Sequence, residues 1–179
     1  MKNNIYPKVH VIVLNWNNKE LTEQCLLSIQ RIDYPNYEIL IVDNNSSDGS
    51  VELFKNNFPD VKLLSLDKNL KYAGGNNAAI DSLSFNKDDF FLFLNNDTLV
   101  SRDFLHHLIN PFLNDSDCII SVPKILFSKD TNRIWYAGGI INFWKGIINH
   151  IGMLLINKIT GILIAGKEIF ELGRIFIRR

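Results

Sequence analysis

The sequence predicts an α/β fold in which a mostly parallel, Rossmann-like sheet is flanked by helices. Over the first 110 residues, four short apolar segments with strand character alternate with four segments of helical periodicity. Each predicted strand is followed by a loop that contains Asn or Asp. Strands that alternate with helices at this spacing form βαβ units, and right-handed crossovers place all the strands' carboxyl ends together. We call that side of the sheet the carboxyl edge.

The four predicted strands share a run of apolar, often β-branched residues. They cover residues 9–14, 37–42, 61–66 and 90–94. The last of them, Phe90-Phe-Leu-Phe-Leu94, is apolar throughout, which is typical of a strand buried on both faces. It ends in Asn95-Asn-Asp97, so a core strand delivers two amides and a carboxylate to the edge of the sheet.

The predicted helices are recognised by apolar residues at helical spacing. The first covers residues 19–30, with Asn18 as a candidate N-cap. Its inward positions are Leu21, Cys25, Leu26 and Ile29. The second begins after Asp48, which can cap it, and is closed by Pro59. The third covers residues 76–83, and the fourth covers residues 101–110, where Pro111 should end or kink it.

The second half of the chain shows only short elements. Strands are predicted at residues 118–122 and 125–127, and two more at residues 134–144, around Gly138-Gly139. A glycine pair between aromatic and β-branched residues suits a hairpin. It equally suits a place where backbone approaches a ligand closely.

Composition excludes several classes of function. Nineteen basic and nineteen acidic residues cancel, so no excess of positive charge favours a nucleic-acid partner. The two cysteines, Cys25 and Cys118, have neither disulfide-scaffold nor zinc spacing, which suits reduced thiols in a cytoplasmic protein. The amino terminus lacks the apolar run of a signal peptide.

The segment from residue 147 to residue 179 is apolar enough to be tested for membrane association. Residues 147–166 are apolar but are interrupted by Asn149, His150, Asn157 and Lys158, which argues against a membrane span. The basic and apolar tail is compatible with peripheral association at the inner face of a membrane. An unfinished core element is the interpretation we prefer.

Polar residues from four loops should meet at the carboxyl edge. They are Asn15 and Asn17, Asp43, the loop at residues 69–77, and residues 95–97. Asn and Asp are ordinary turn residues. Four polar loops at four strand ends are nevertheless poorly explained as unrelated turns, and we expect a shared ligand site, as in other open α/β sheets.

The loops differ in the chemistry that they suggest. Asp43 follows the second strand, where nucleotide-binding folds place a carboxylate. The segment Asn69 to Asn77 holds Gly74 and Gly75 and begins a helix, so its N–H groups could meet a phosphate, although it is not a P-loop. Asn95 and Asp97 offer hard oxygen ligands to Mg²⁺ or Mn²⁺, which would neutralise a diphosphate leaving group.

Four motifs in this order resemble the family 2 glycosyltransferases. They are Val11-Ile-Val-Leu-Asn-Trp-Asn17, Ile41-Val-Asp-Asn-Asn-Ser-Ser-Asp-Gly-Ser50, Asn69 with Ala73-Gly-Gly-Asn-Asn77, and Leu94-Asn-Asn-Asp-Thr98. The match is closest to the rhamnosyltransferase-like branch and runs from about residue 9 to residue 144. The resemblance implies a GT-A fold and a dTDP- or UDP-sugar donor. It also implies a glycan or lipid-linked acceptor.

The resemblance also implies roles for individual residues. Asn15, Asn17 and Asp43 would hold the nucleoside, and Asp97 with Asn95 would stand for the DxD motif that binds the metal and diphosphate. The remaining donor-binding candidates are Asn69, Ala73, Gly74, Asn76 and Asn96.

Two departures from the family pattern stand out. Lys71 occupies a position where related loops usually have glycine, so that turn is expected to differ. Inverting members also carry a late acidic pair whose carboxylate is the general base. After Asp130 this chain has only Glu168 and Glu171, and no base is identified.

The sequence therefore predicts an inverting, metal-assisted glycosyltransferase for surface polysaccharide assembly. Its donor-binding domain would cover residues 1–145, and residues 146–179 would be an incomplete acceptor-side segment or an aberrant tail, so that the chain is truncated or frameshifted. Two alternatives remain. One is a non-catalytic nucleotide-sugar-binding remnant, and the other is a sugar nucleotidyltransferase, whose Gly-rich triphosphate loop is missing here.

Overall fold

Alternating strands and helices make up the first 114 residues, and short strands follow. The structure is a computed structural model, and it describes residues 6–142, 147–150 and 176–178. The first elements are β1 (Val9–Asn15), α1 (Lys19–Ile29), β2 (Tyr37–Asp43), α2 (Ser50–Asn57), β3 (Lys62–Ser65), α3 (Lys71–Ser82) and β4 (Phe90–Asn95). They are followed by α4 (Phe104–Asn114), β5 (Ile120–Ser121), β6 (Ile125–Leu126), β7 (Ile134–Tyr136), β8 (Gly139–Asn142), β9 (Ile147–His150) and β10 (Phe176–Arg178).

The chain divides into two units after Phe104. The first holds β1 to β4 and the helices between them, and the second holds residues 105–177. The domain boundary predicted at residue 145 lies outside the described residues, and it stays a prediction.

In the first unit, β3, β2, β1 and β4 lie side by side in that order, and every pair is parallel. This confirms the predicted α/β class. Along the chain, β2 and β3 are added successively on one side of β1, and β4 then lies on the other side of β1. Because crossovers are right-handed, α1 and α2 cover one face of the sheet and α3 covers the opposite face. The direction of winding reverses beside β1, which is where open sheets bind ligands.

The core on the α3 face explains why these segments pair as they do. Ile12, Leu40, Val42 and Phe91 are buried there against Ala79 of α3. They come from alternate positions of three strands, as a pleated sheet requires. Because each fully buried side chain contributes about 1.5–3 kcal/mol, this face fixes the register of the strands.

At the opposite, amino edge of the sheet, a buried histidine of β1 lies between two acidic side chains. His10 is fully buried, as expected for a strand residue, and its ring stacks on Phe91. Its Nδ1 lies 2.8 Å from Glu38 Oε1, and its Nε2 lies 2.9 Å from Asp89 Oδ2. His10 is therefore a structural residue, far along β1 from the carboxyl edge.

Helix α3 begins five residues earlier than the sequence predicts. Its first residue is Lys71 and not Asn76, so Gly74 and Gly75 are helical rather than part of a loop. The reason is packing: Gly75 is buried against Leu14, where a Cβ atom would come within 2.5 Å of Leu14 Cδ1. Gly75 thus allows close contact between helix and sheet, and the proposed contact of this segment's N–H groups with a phosphate stays a prediction.

Helix α1 has nearly the predicted bounds but a different buried face. Leu21 is 42% exposed, and Thr22 is fully buried in its place. Thr22 faces the sheet because its hydroxyl has polar partners at the carboxyl edge. Asn18 occupies the N-cap position, as predicted, although its side chain makes no hydrogen bond to the helix.

The second unit contains α4 and short strands. Pro111 lies inside α4 rather than ending it, because the helix continues to Asn114 and buries Phe112. The two strands around Gly138 do not form the hairpin that was one of the two interpretations: β7 pairs with β6, and β8 pairs with β9.

The structure describes only part of the chain after β8. β5 pairs antiparallel with β10. Residues 151–175, which include most of the apolar segment, Glu168 and Glu171, lie outside the described residues. Within the described part of the chain, no helix has the length and apolarity needed to cross a bilayer.

Candidate functional site

The carboxyl ends of β1, β2 and β4 lie side by side, and polar side chains follow there. In the strand register Asn15 is paired with Asp43, and Leu14 with Asn95. The residues that precede these positions in the three strands are mostly apolar and mostly buried. The sheet thus holds three polar positions rigidly at one edge.

Asn15 is the centre of a buried hydrogen-bond network. Its side chain is fully buried, and its Nδ2 donates to Asp43 Oδ1 at 2.8 Å and to Ser46 Oγ at 3.1 Å. Its Oδ1 accepts from the Thr22 hydroxyl at 2.8 Å and from Asn96 Nδ2 at 3.4 Å. Four segments far apart in sequence are therefore joined through one amide.

Asp43 has one further donor. Its Oδ2 accepts the backbone N–H of Ser46 at 2.8 Å, and only 1% of the residue is exposed. Each carboxylate oxygen has two lone pairs and accepts one of these two hydrogen bonds, so acceptor capacity remains on both.

The loop after β1 is fixed to the loop after β2. The N–H of Asn17 donates to Ser46 Oγ, and Asn17 Oδ1 accepts the N–H of Ser47 at 2.8 Å. Asn17 has a φ of 49°, a left-handed conformation that Asn tolerates well. The neighbouring Trp16 is 55% exposed.

Asp48 fastens the same loop to the first turn of α2 and to α1. Its carboxylate accepts hydrogen bonds from Ser50, the first residue of α2, and from the N–H of Lys19 at 3.1 Å. Burial raises the pKa of the Asp48 carboxyl, but these hydrogen bonds outweigh it and lower the pKa. Asp48 therefore binds the start of α2 as predicted, although Gly49 holds the N-cap position.

Asn44 connects the edge to the start of α3. Its Oδ1 accepts the N–H of Leu70 at 2.8 Å, and its Nδ2 donates to Asn69 Oδ1 at 3.0 Å and to the carbonyl of Lys71 at 3.2 Å. Its own N–H donates to the carbonyl of Asn15 at 2.9 Å. Asn69, a predicted donor-binding residue, is thereby brought to the edge.

Three other predicted residues are placed differently. Asn76 is buried in α3, and its Nδ2 donates to the carbonyl of Tyr72 within the same helix. Gly74 faces Leu70, whose Cβ would lie 2.8 Å from an added Cβ atom. Ala73 is exposed on the first turn of α3. The structure does not bring these three into the network around Asn15.

Asn95 and Asp97 present oxygen atoms that the described residues leave unused. Asp97 is exposed and Asn95 is partly exposed, and neither side chain has a hydrogen-bond partner within the described part of the chain. The same part contains no cluster of three or more His, Cys, Asp or Glu that could hold a metal. One carboxylate and one amide oxygen fit a hard cation that takes its other ligands from water and phosphate.

Sequence reasoning missed three residues of this network: Thr22, Asn44 and Ser46. Asn44 follows Asp43 directly, so its place at a strand end was visible in the sequence. Thr22 was concealed by Leu21, the apolar neighbour that the helical pattern favoured. Ser46 depends on how the loop after β2 folds back, which no periodicity predicts.

Comparisons with known proteins point in one direction. A model of the family described as glycosyl transferase family 2 matches residues 10–171. The poly(ribitol-phosphate) beta-N-acetylglucosaminyltransferase TarP of Staphylococcus aureus is 30% identical over 161 residues, which covers 77% of this chain and 49% of that protein. The chain therefore spans about half, or less, of the length of such relatives.

Solved structures share the fold. A mannosyltransferase from Pyrobaculum calidifontis, in complex with GDP-Man and Mn²⁺, has a TM-score of 0.58 and 26% identity, over 72% of this chain and 38% of that one. S. aureus TarS in complex with UDP-GlcNAc has a TM-score of 0.58 and 20% identity, over 69% and 36%. These similarities confirm the predicted GT-A type of fold.

Proposed function

The chain belongs to glycosyl transferase family 2, and from that premise we propose that it transfers a sugar from a nucleotide diphosphate to an acceptor hydroxyl. One observation carries the proposal. The carboxyl edge holds a buried network around Asn15 and Asp43, and beside it lie Asn95 and Asp97, whose side-chain oxygens have no hydrogen-bond partner among the described residues. A site of this kind combines a fixed polar pocket with a place for a cation.

The nucleoside is proposed to bind at the loops after β1 and β2. Asp43 can accept a further hydrogen bond from a base N–H or a sugar hydroxyl, since each of its oxygens accepts one hydrogen bond from the described residues and has two lone pairs. Asn15 keeps that carboxylate oriented, and Asn17 shapes the neighbouring loop through Ser47. A carboxylate so held binds its ligand without first having to be ordered.

Asp97 and Asn95 are proposed to hold Mg²⁺ or Mn²⁺ together with the diphosphate of the donor. The donor set fits because both are hard oxygen ligands and neither is used by the described part of the protein. When bound, such a cation neutralises the charge that develops on the leaving diphosphate. The Mn²⁺ and GDP-Man named with the P. calidifontis mannosyltransferase support the same assignment.

Transfer with inversion needs a base that takes the proton of the acceptor hydroxyl. None is assigned here, since Glu168 and Glu171 lie outside the described residues. We propose surface polysaccharide assembly as the setting, with a dTDP- or UDP-sugar donor and a glycan or lipid-linked acceptor. The names of TarP and of a Bacillus spizizenii poly(ribitol-phosphate) beta-glucosyltransferase support it. The rhamnosyltransferase-like branch and a peripheral place on the cytoplasmic face of a membrane are part of the same proposal.

A second candidate is a nucleotide-sugar binder that does not catalyse transfer. The described part of the chain favours it, because that part provides the residues of the donor site and no assigned base. The two candidates agree on the donor site and differ only in the acceptor step.

The experiment incubates the purified chain with UDP-, dTDP- and GDP-sugars, Mn²⁺ and extracts of cell-surface glycans and lipid-linked acceptors. Acceptor-dependent release of a nucleoside diphosphate, lost in Asp97→Asn, is the expected result. Thermal stabilisation by a donor without any release would favour the binder. Neither stabilisation nor release would refute both candidates.

A further inference from the structure

Three non-glycine residues of the described chain have left-handed backbone, and all of them lie at the carboxyl edge, two in loops and one at the first position of α3. They are Asn17, Asn45 and Lys71, with φ of 49°, 63° and 62°. Asn adopts this conformation readily because its short side chain can bond locally. Lysine has no short polar side chain that can bond locally in this way, so the backbone of Lys71 is strained. Strain of this kind persists only where the surroundings impose it, and it concentrates at functional sites.

The side chain of Asn44 imposes the conformation of Lys71. Asn44 is 2% exposed, and it bonds the N–H of Leu70, the carbonyl of Lys71 and the side chain of Asn69. Asn69 Oδ1 in turn accepts the N–H of Lys71 at 2.7 Å. Both the N–H and the carbonyl of Lys71 are thus hydrogen-bonded. Asn44 also connects this backbone to Asn15.

The ammonium group of Lys71 is available to a ligand. The residue is exposed, and within the described part of the chain its side chain has no carboxylate or other hydrogen-bond partner. The other lysine of the edge with a fixed place, Lys19, differs in this respect because its Nζ donates to the carbonyl of Asp48 at 2.7 Å. The exposed side chain of Lys71 therefore extends from a backbone that Asn44 joins to the network of Asn15 and Asp43.

We propose that Lys71 is a donor-binding residue whose ammonium pairs with the diphosphate of the nucleotide, a role that rests on the proposed function. Glycine would relieve the strain at this position but could not supply the charge. Lysine serves as a point charge toward phosphate oxygens. Lys71 then complements the cation at Asp97 and makes the site selective for diphosphates over the uncharged nucleoside.

The test measures calorimetric affinity of the full chain for UDP, dTDP and GDP with Mn²⁺, and for uridine. Lys71→Ala should weaken binding of the preferred diphosphate about tenfold, because a hydrogen bond to a charged group is lost. Affinity for uridine should not change. Lys71→Arg should retain most of the affinity for the diphosphate.

A second variant separates function from folding. Lys71→Gly should weaken diphosphate binding as much as Lys71→Ala, yet raise the Tm by about 2–4 °C because the left-handed strain is removed. Lys68→Ala is the matched control, since Lys68 is an exposed lysine three residues before Lys71, in the loop that leads into α3, and Asn44 does not bind it. That variant should bind all ligands like the wild type.

The possible failures are distinguishable. If the wild type binds a diphosphate and Lys71→Ala binds it equally well, Lys71 has no such role, and the proposed function stands. Equal losses in Lys68→Ala and Lys71→Ala would also overturn the role, because they would show general attraction by the loop. If the wild type binds none of the three diphosphates, the proposed function is overturned, and the role of Lys71 with it.

Discussion

Replacing Asn15 by aspartate should turn the centre of the site into a pH-dependent defect. The shape of the side chain hardly changes, but the group facing Asp43 Oδ1 across 2.8 Å becomes a carboxylate oxygen instead of an N–H donor. Both residues are at least 99% buried, so water cannot separate the two oxygens. The variant therefore isolates electrostatics from packing.

The size of the effect follows from the distance. Two unit charges about 3 Å apart repel by roughly 5 kcal/mol at an effective dielectric constant near 20. The folded variant avoids this by keeping one proton between the two carboxyls, whereas the unfolded chain gives it up near pH 4. Because the folded state then binds the extra proton, the free energy of unfolding falls as pH rises, by about 1.4 kcal/mol per unit. The loss should reach roughly 3–5 kcal/mol before charge repulsion itself limits it.

Urea unfolding of the wild type and of Asn15→Asp between pH 5 and pH 8 measures this loss. Asn15→Ala gives the comparison: it should lose about 3 kcal/mol from unsatisfied buried groups, nearly independent of pH over the same range. Asn56→Asp, at an exposed position of α2, controls for added charge and should unfold like the wild type. A variant Asn15→Asp that is as stable as the wild type at pH 8 would show that the buried contact with Asp43 does not exist.

Three further predictions concern the residues around this centre. Burial raises the pKa of Glu38, but hydrogen bonds from Lys8, Lys62 and His10 outweigh it and lower the pKa from 4.5 to about 2. The stability that this carboxylate contributes should be lost as pH falls from 4.5 toward 2, by at most about 3 kcal/mol in urea unfolding. In Glu38→Gln this loss of stability between pH 4.5 and pH 2 should be absent. A variant whose unfolding free energy depends on acid pH as in the wild type would contradict the prediction. Gly75→Ala should lower the free energy of unfolding by about 1–3 kcal/mol, since the new methyl group would displace Leu14. A neutral result would mean that α3 does not contact β1 as described. Thr22→Val should cost about 1–3 kcal/mol by removing the hydroxyl between Asn15 and Asn96, while Leu21→Ser should cost under about 0.5 kcal/mol. If Leu21→Ser lost more stability than Thr22→Val in chemical denaturation, Leu21 and not Thr22 would be the residue of α1 that packs in the core.

The strands were predictable because their burial leaves a direct record in the sequence. Residues of β1, β2 and β4 are buried on both faces, so they form continuous apolar runs that end where water begins. The right-handed crossover then gives the relative order of helices and faces without further information. For the same reason, the polar residues at the ends of β1, β2 and β4 could be assigned to one edge.

The start of α3 could not be predicted because two glycines normally indicate a loop. Here Gly74 and Gly75 are helical, and at Gly75 only a residue without a side chain allows α3 to pack on Leu14. Likewise Thr22 is buried through polar partners that belong to other segments. Hydrophobic periodicity detects burial by apolar contact, and it does not detect burial by hydrogen bonds.

The sequence predicted where the candidate site lies, but it did not predict every residue that takes part in it. Asn15, Asp43 and Asn96 meet as the topology requires. Asn44 and Ser46 escaped notice because their importance comes from the fold of the loops. Lys71 attracted attention only as a departure from a glycine position, and its left-handed φ shows that the backbone kept the conformation that glycine favours.

The most direct test of the central claim is to measure free Mn²⁺ by electron paramagnetic resonance as the protein is added with UDP. The wild type should remove the signal of free Mn²⁺ in a UDP-dependent manner, and Asp97→Asn should leave it unchanged, because the one exposed carboxylate at the end of β4 is gone. Equal uptake of Mn²⁺ by both proteins would contradict the claim that the carboxyl edge binds a nucleotide diphosphate through a cation at Asp97.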